Sequence, residues 1–191
     1  ACSVGHGRGE VAAVLSTQVA TLDYVHATQF AIDVLERFAA RVAAIAPVDR
    51  AMVFPVSGGS EANETALKLA RAYHLARGDE QRHVVVARGG AYHGNTRGAL
   101  DASDRSGLKA GYEPWLGRTV RVPLVNPYRD PRSGEEHAAE RDAVIRATGP
   151  ERVAALGARL GERQCGAEIG GGQRVEGGAQ ERVAGGRPLG V

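Results

Sequence analysis

Lysine is nearly missing from this 191-residue chain: Lys68 and Lys109 are present, and every other basic residue is an arginine. Cysteine is equally scarce. Cys2 and Cys165 stand near opposite ends without metal-ligand spacing, which excludes a disulfide framework and a zinc cluster and points to a reducing, cytoplasmic setting. Aromatic residues make up 5% of the chain, and none follows Tyr128. No apolar run approaches the roughly 18–20 residues that span a bilayer, so no membrane partner is expected. The opening ACSVGHGRGE has no basic stretch leading into an apolar one, so no secretory leader is legible in it. Twenty-four basic residues nearly balance 22 acidic ones, for a net charge of +2. The arginines are dispersed among acids, which excludes the footprint of a nucleic-acid binder.

What is present is globular in character, with 43% hydrophobic and 24% charged residues, but it is not uniform. From Glu151 onward there is no Phe, Trp, Tyr, His, Lys, Met, Ser, Thr, Asn or Asp. Glycine recurs there at 157, 161, 166, 170, 171, 172, 177, 178, 185, 186 and 190, which defeats helical and strand periodicity alike. Residues 156–191 are therefore read as a disordered Gly/Ala/Arg-rich tail. The abrupt change near Leu156 gives a second expectation, that this stretch is out-of-frame translation.

The first 150 residues alternate between patterns. Val11, Val14, Leu15, Val19 and Leu22 predict an amphipathic helix over 10–21, and Ile32, Leu35, Phe38, Val42 and Ile45 predict a second, stopped by Pro47. Residues 1–46 thus form a helical segment. An α/β unit follows. Met52–Val56 reads as a short strand weakened by Pro55, and Ser57–Ser60 as a glycine turn. Glu61–Arg77 reads as a long helix, and His83–Ala87 as a second strand. A third strand is predicted over Thr119–Val125, and a helix after Ser133 that runs to about Ala147. Strand, turn, helix and strand in this order predict a mostly parallel sheet with crossover helices.

Ser57-Gly58-Gly59-Ser60 opens the long helix. Glycines there let the backbone approach a ligand, and the first N–H groups of the helix with the Ser60 hydroxyl would face an anion. An ordinary helix cap by Ser57 or Ser60 is the competing reading. Neither G-x-x-x-x-G-K-[ST] nor G-x-G-x-x-G is present, so the common nucleotide loops are excluded. Ala91-Tyr92-His93-Gly94-Asn95 follows the second strand and so emerges at the same carboxyl edge, where Tyr92 could lay its ring on a flat cofactor. The other histidines show no metal-ligand spacing, and no metal site is expected.

FPVSGGSEANETALKLARAYH followed by ARGGAYHGNT resembles the class-III aminotransferases, pyridoxal-phosphate enzymes of fold type I. GHGRGEV, YVHATQF and NPYR resemble further segments of that family, in the right order over about residues 1–155. The resemblance implies an incomplete fold-type-I large domain over 47–155, pyridoxal 5'-phosphate as cofactor, an amine or amino acid and a keto acid as substrates, and a homodimer. It implies phosphate contacts at Gly59 and Ser60, with Ser57 and Gly58 shaping the turn. Tyr92 would stack on the pyridine ring with His93 beside it. Tyr24 would lie toward the substrate. Glu61 and Asn63 would serve turn geometry and helix-start electrostatics.

The lysine shortage now acquires meaning. The family needs a lysine to hold the cofactor's aldehyde carbon and an aspartate at its pyridine nitrogen. Here no Asp follows Asp142 and no Lys follows Lys109. Lys68 falls mid-helix and Lys109 in a polar segment, so both read as surface charges, and no catalytic residue is assigned. The expectation is a truncated amino-terminal copy, inactive by itself. The alternatives are a non-catalytic fragment or pseudoenzyme, or an aminomutase or decarboxylase of the same fold.

Overall fold

The computed structural model describes residues 3–26, 28–117 and 119–157, and the backbone of 168 and 169. Internal contacts divide the chain into two units, Ala1–Phe54 and Pro55–Val191. In the first, α1 (Gly9–Thr21) and α2 (Asp33–Ile45) match the predicted helices within a residue. Pro47 lies two residues past the end of α2 and cannot supply the N–H that another turn needs. Residues 51–56 form no strand, contrary to the sequence expectation. Met52 is 98% exposed, and Pro55 lacks the ladder donor.

The second unit begins with α3 (Gly59–Ala76), which ends before Gly78, a glycine at φ +79°. A left-handed residue at that place closes a helix where a Cβ would be strained. The chain continues through β1 (Val84–Arg88), α4 (Arg97–Ala102) and α5 (Ser106–Lys109) to β2 (Val120–Val122). Then come α6 (Gly134–Thr148), β3 (Val153–Gly157) and β4 (Glu168–Ile169). The sheet order is β2-β1-β3-β4. β1 runs parallel to β2 and to β3, with Val86 opposite Val120 on one side and Leu156 on the other, while β4 is antiparallel to β3. The expected α/β architecture with parallel strands and crossover helices is thus present. The remaining residues of the expected tail, 158–167 and 170–191, lie outside the described residues.

Val86, Val122 and Val153, one from each parallel strand, form the buried core, flanked by Val120, Val144, Ile145 and Leu156. Each fully buried side chain of this size is worth about 1.5–3 kcal/mol. Polar contacts then orient the helices on it. His74 is 2% exposed, and its Nε2 lies 3.1 Å from the Ala154 carbonyl, which can only accept, so the ring donates there and fastens α3 to β3. Arg121 on β2 donates to the carbonyls of Asp101, Ala102 and Ser103, closing the carboxyl end of α4 with a cation. Lys109 adds a 3.4 Å contact to Asp101 O, so it ends α5 partly buried instead of standing free on a loop. α6 opens with a capping box between Ser133 and Glu136. Upstream of it, Arg132 pairs with Asp130 and Glu140 and holds the Asp130 carboxyl down at about 2. Among the described residues, no helix is long and apolar enough to cross a membrane.

Candidate functional site

The start of α3 is open. Gly58 occupies the cap position in extended conformation, and no side chain accepts a hydrogen bond there, so neither Ser57 nor Ser60 acts as the ordinary cap. The first intrahelical bond runs from Ala62 N–H to Gly58 O at 3.0 Å. The N–H groups of Gly59, Ser60 and Glu61 precede it and point out along the helix axis at its positive end. Ser57 and Gly59 are exposed, and a Cβ built on Gly59 would meet nothing within 4 Å. The geometry is that of an anion seat.

The Tyr92 loop comes to this seat directly. The Asn95 N–H donates to Ser60 Oγ at 3.0 Å. Gly94 passes so close that an added Cβ would lie 2.9 Å from the Ser60 Cα. Because Ser60 Oγ accepts from Asn95, its own proton remains free to be donated to an anion. Asn63 reaches across with both amide protons, to Gly59 O at 3.0 Å and to His93 O at 2.5 Å. One turn on from Ser60, Glu64 Oε1 accepts from Gly98 N–H at 2.6 Å and from Ala99 N–H at 3.2 Å, capping α4. Burial opposes ionisation of Glu64, but the Thr96 hydroxyl beside it and these two N–H groups outweigh it and lower its pKa. Ser60, Asn63 and Glu64 are spaced i, i+3, i+4 and so share one helical face. Asn63 thus reaches beyond the turn geometry and helix-start electrostatics expected of it, and Glu64 joins it although no expectation fell there. The signal available was that spacing, three polar residues on one stripe of a helix.

Tyr92 stands half-exposed, with the Arg105 guanidinium carbon 6.0 Å from its ring centroid. Arg105 takes one face of the ring as a cation–π partner. Its loop is braced behind: Gly90 N–H donates to Asp104 Oδ2 at 2.9 Å, and Asp104 N–H to Ala91 O at 2.8 Å. His93 turns inward instead. It is buried beside Gly157 at the end of β3, where a Cβ would lie 3.5 Å from its Cε1, and its N–H donates to the buried Ser103 Oγ at 2.8 Å. Burial, with the charges of Arg121 and Arg88, lowers its pKa, so the ring is neutral at pH 7. Tyr24 belongs to the other unit, in the connector after α1, with its side chain exposed. The structure therefore brings Ser57–Ser60 together with the Tyr92–His93 loop. Lys68 is exposed, as expected of a surface charge.

The family model for aminotransferase class-III matches residues 1–157. The chain belongs to the class-III aminotransferase family. A probable aminotransferase of Mycobacterium tuberculosis is 39% identical over 159 residues, 80% of this chain and 34% of that protein. Acetylornithine aminotransferase of Nitrosomonas europaea is 36% identical over 145 residues, 75% of this chain and 35% of the relative. Among solved structures, an (S)-enantioselective omega-transaminase from Thermomicrobium roseum superposes with a TM-score of 0.74 at 31% identity, covering 80% of this chain and 36% of that one. An omega-transaminase of Pseudomonas jessenii in complex with PMP gives 0.73 at 25% identity, covering 78% and 35%. The chain thus spans about a third of the length of the aminotransferases it matches.

Proposed function

We propose that this chain is the front part of a pyridoxal-phosphate-dependent aminotransferase, carrying the phosphate seat and the ring platform of the cofactor site. The observation that carries the reading is the junction of the uncapped start of α3 with the Tyr92 loop, through Ser60, Asn95 and Gly94. The residues fit the group. The Gly59, Ser60 and Glu61 N–H groups and the Ser60 hydroxyl proton would hold its phosphate, with Ser57 and Gly58 shaping the turn. Tyr92 would carry the ring on the face that Arg105 leaves free, and neutral His93 would pack beneath. When bound, pyridoxal phosphate supplies an electron sink for exchanging an amine with a carbonyl.

The reading extends to the whole protein as a cytoplasmic homodimer that moves an amino group from an amine or amino acid to a keto acid, with Tyr24 on the substrate side. The 191 residues contain no lysine or aspartate in the family's later positions. The chain alone is therefore proposed to bind the cofactor and not to transaminate.

Titration with pyridoxal phosphate, followed by absorbance and Trp115 fluorescence, tests this. Saturable binding that is lost in Tyr92→Ala and in Ser60→Ala is expected, without amine-to-keto-acid turnover. Borohydride treatment should trap no cofactor on Lys68 or Lys109. Absence of binding by the wild-type chain would refute the site, and robust turnover would refute the proposed inactivity.

A further inference from the structure

We infer that Asn63 is a positioning residue that locks the ring platform to the phosphate seat, so that the two halves of the site move as one body. The inference rests on the reading of Tyr92 as the ring platform, but its evidence is separate from that reading. Three side chains of α3 bind main-chain groups of residues 93–99, and their chemistry differs. Ser60 and Glu64 accept from N–H groups of Asn95, Gly98 and Ala99, whereas Asn63 donates. A carboxamide nitrogen has two protons, and both are committed here. One goes to Gly59 O in the first turn of α3, the other to His93 O, the carbonyl immediately after Tyr92. The two acceptors are 34 residues apart in the chain and belong to the two motifs the sequence singles out. A single planar group thus fixes the distance between the turn that presents N–H groups and the peptide that aims the Tyr92 ring. It does so without touching a ligand. His93 is constrained from its other side by Ser103, which receives its N–H, so Asn63 and Ser103 grip the same residue through its carbonyl and its amide.

Aspartate at position 63 has the same shape and the opposite chemistry. Ionised, it sets carboxylate oxygens against two carbonyls. Protonated, it recovers one donor.

The test uses the full chain with Asn63→Ala and Asn63→Asp. In Asn63→Ala, affinity for pyridoxal phosphate is expected to fall about tenfold, the worth of one well-made hydrogen bond, while affinity for inorganic phosphate stays within about twofold. Amide exchange, corrected for intrinsic rates, is expected to quicken about tenfold at Asn95 and Gly98 and to stay unchanged at Val86 in the core strand. In Asn63→Asp the same loss of protection is expected at neutral pH. It should be partly reversed, relative to wild type, at acid pH where the introduced carboxyl holds a proton. A residue with only a local helix role would show no such pH reversal. Wild-type binding with unchanged affinity in Asn63→Ala overturns the inference and leaves the cofactor reading standing. Failure of the wild-type chain to bind pyridoxal phosphate overturns the cofactor reading. Exchange at Asn95 then decides the lock by itself: unchanged protection in both variants overturns it.

Discussion

Gly94 stands against Ser60 at a separation that no side chain fits: a Cβ on Gly94 would lie 2.9 Å from both Cα and Cβ of Ser60. Its φ of +140° disfavours any L side chain as well. Gly94→Ala is therefore expected to destabilise the second unit by about 2–4 kcal/mol and to abolish cofactor binding. Gly107→Ala, in α5 with nothing within 4 Å, is the control and is expected to be neutral or slightly stabilising. Urea unfolding of the two variants checks the pair, and equal effects would contradict the close approach.

Arg121 serves three carbonyls at once, where α4 ends and Ser103 follows it. Arg121→Met is expected to cost about 2–3 kcal/mol, because three acceptors at the carboxyl end of α4 lose a charged donor. Arg121→Lys keeps the charge and loses the fork, and should recover less than half. Thermal denaturation of the three proteins measures this directly.

His93 gives the stability an acid limb. Burial, with Arg121 and Arg88, holds its folded pKa below the ordinary 6.5, so the unfolded chain takes up the proton more readily. Its contribution is fully present above the ordinary value and is lost as pH falls through the folded one. Between about pH 7.5 and pH 5.5 the wild type should therefore lose stability faster than His93→Gln. Parallel pH profiles would contradict it.

Glu64 acts lower on the pH scale. Its folded pKa lies below the ordinary 4.5, since burial, which opposes ionisation, is outweighed by the N–H groups of Gly98 and Ala99 and the Thr96 hydroxyl beside it. Its charge stabilises the fold above that ordinary value, and the gain is lost as pH falls through the folded pKa. Glu64→Gln keeps an acceptor oxygen and drops the charge. A loss of about 0.5–1 kcal/mol is expected at pH 7, and the two unfolding curves should converge in acid.

In the second unit α3, α6, β1 and β2 could be read from hydrophobic period and punctuation, because those signals are local, whereas the short helices α4 and α5 and the strand β3 were not read in this way. The segment 51–56 shows the limit of that reading. Its residue types favour a strand, but a strand exists only where another backbone offers a ladder, and here Met52 and Phe54 stay exposed. Ser57–Ser60 and Tyr92–His93 were legible as candidates because glycine turns and an aromatic at a strand end carry their chemistry openly. Asn63, Glu64 and Arg121 were not, since each acts on main-chain groups at least 18 residues away, and such groups have no sequence signature.

The sequence by itself determined the family, the glycine-opened helix start and the ring placed after a strand. Each of these depends on residue identity at a local spacing. Only the tertiary structure decided that Gly94 lies on Ser60, that one Asn63 amide joins the two motifs, and that His93 turns inward beside Gly157. Those relations arise when β1 and β3 pair and α3 docks on the sheet, which brings distant carbonyls and N–H groups within hydrogen-bond reach of side chains already in place.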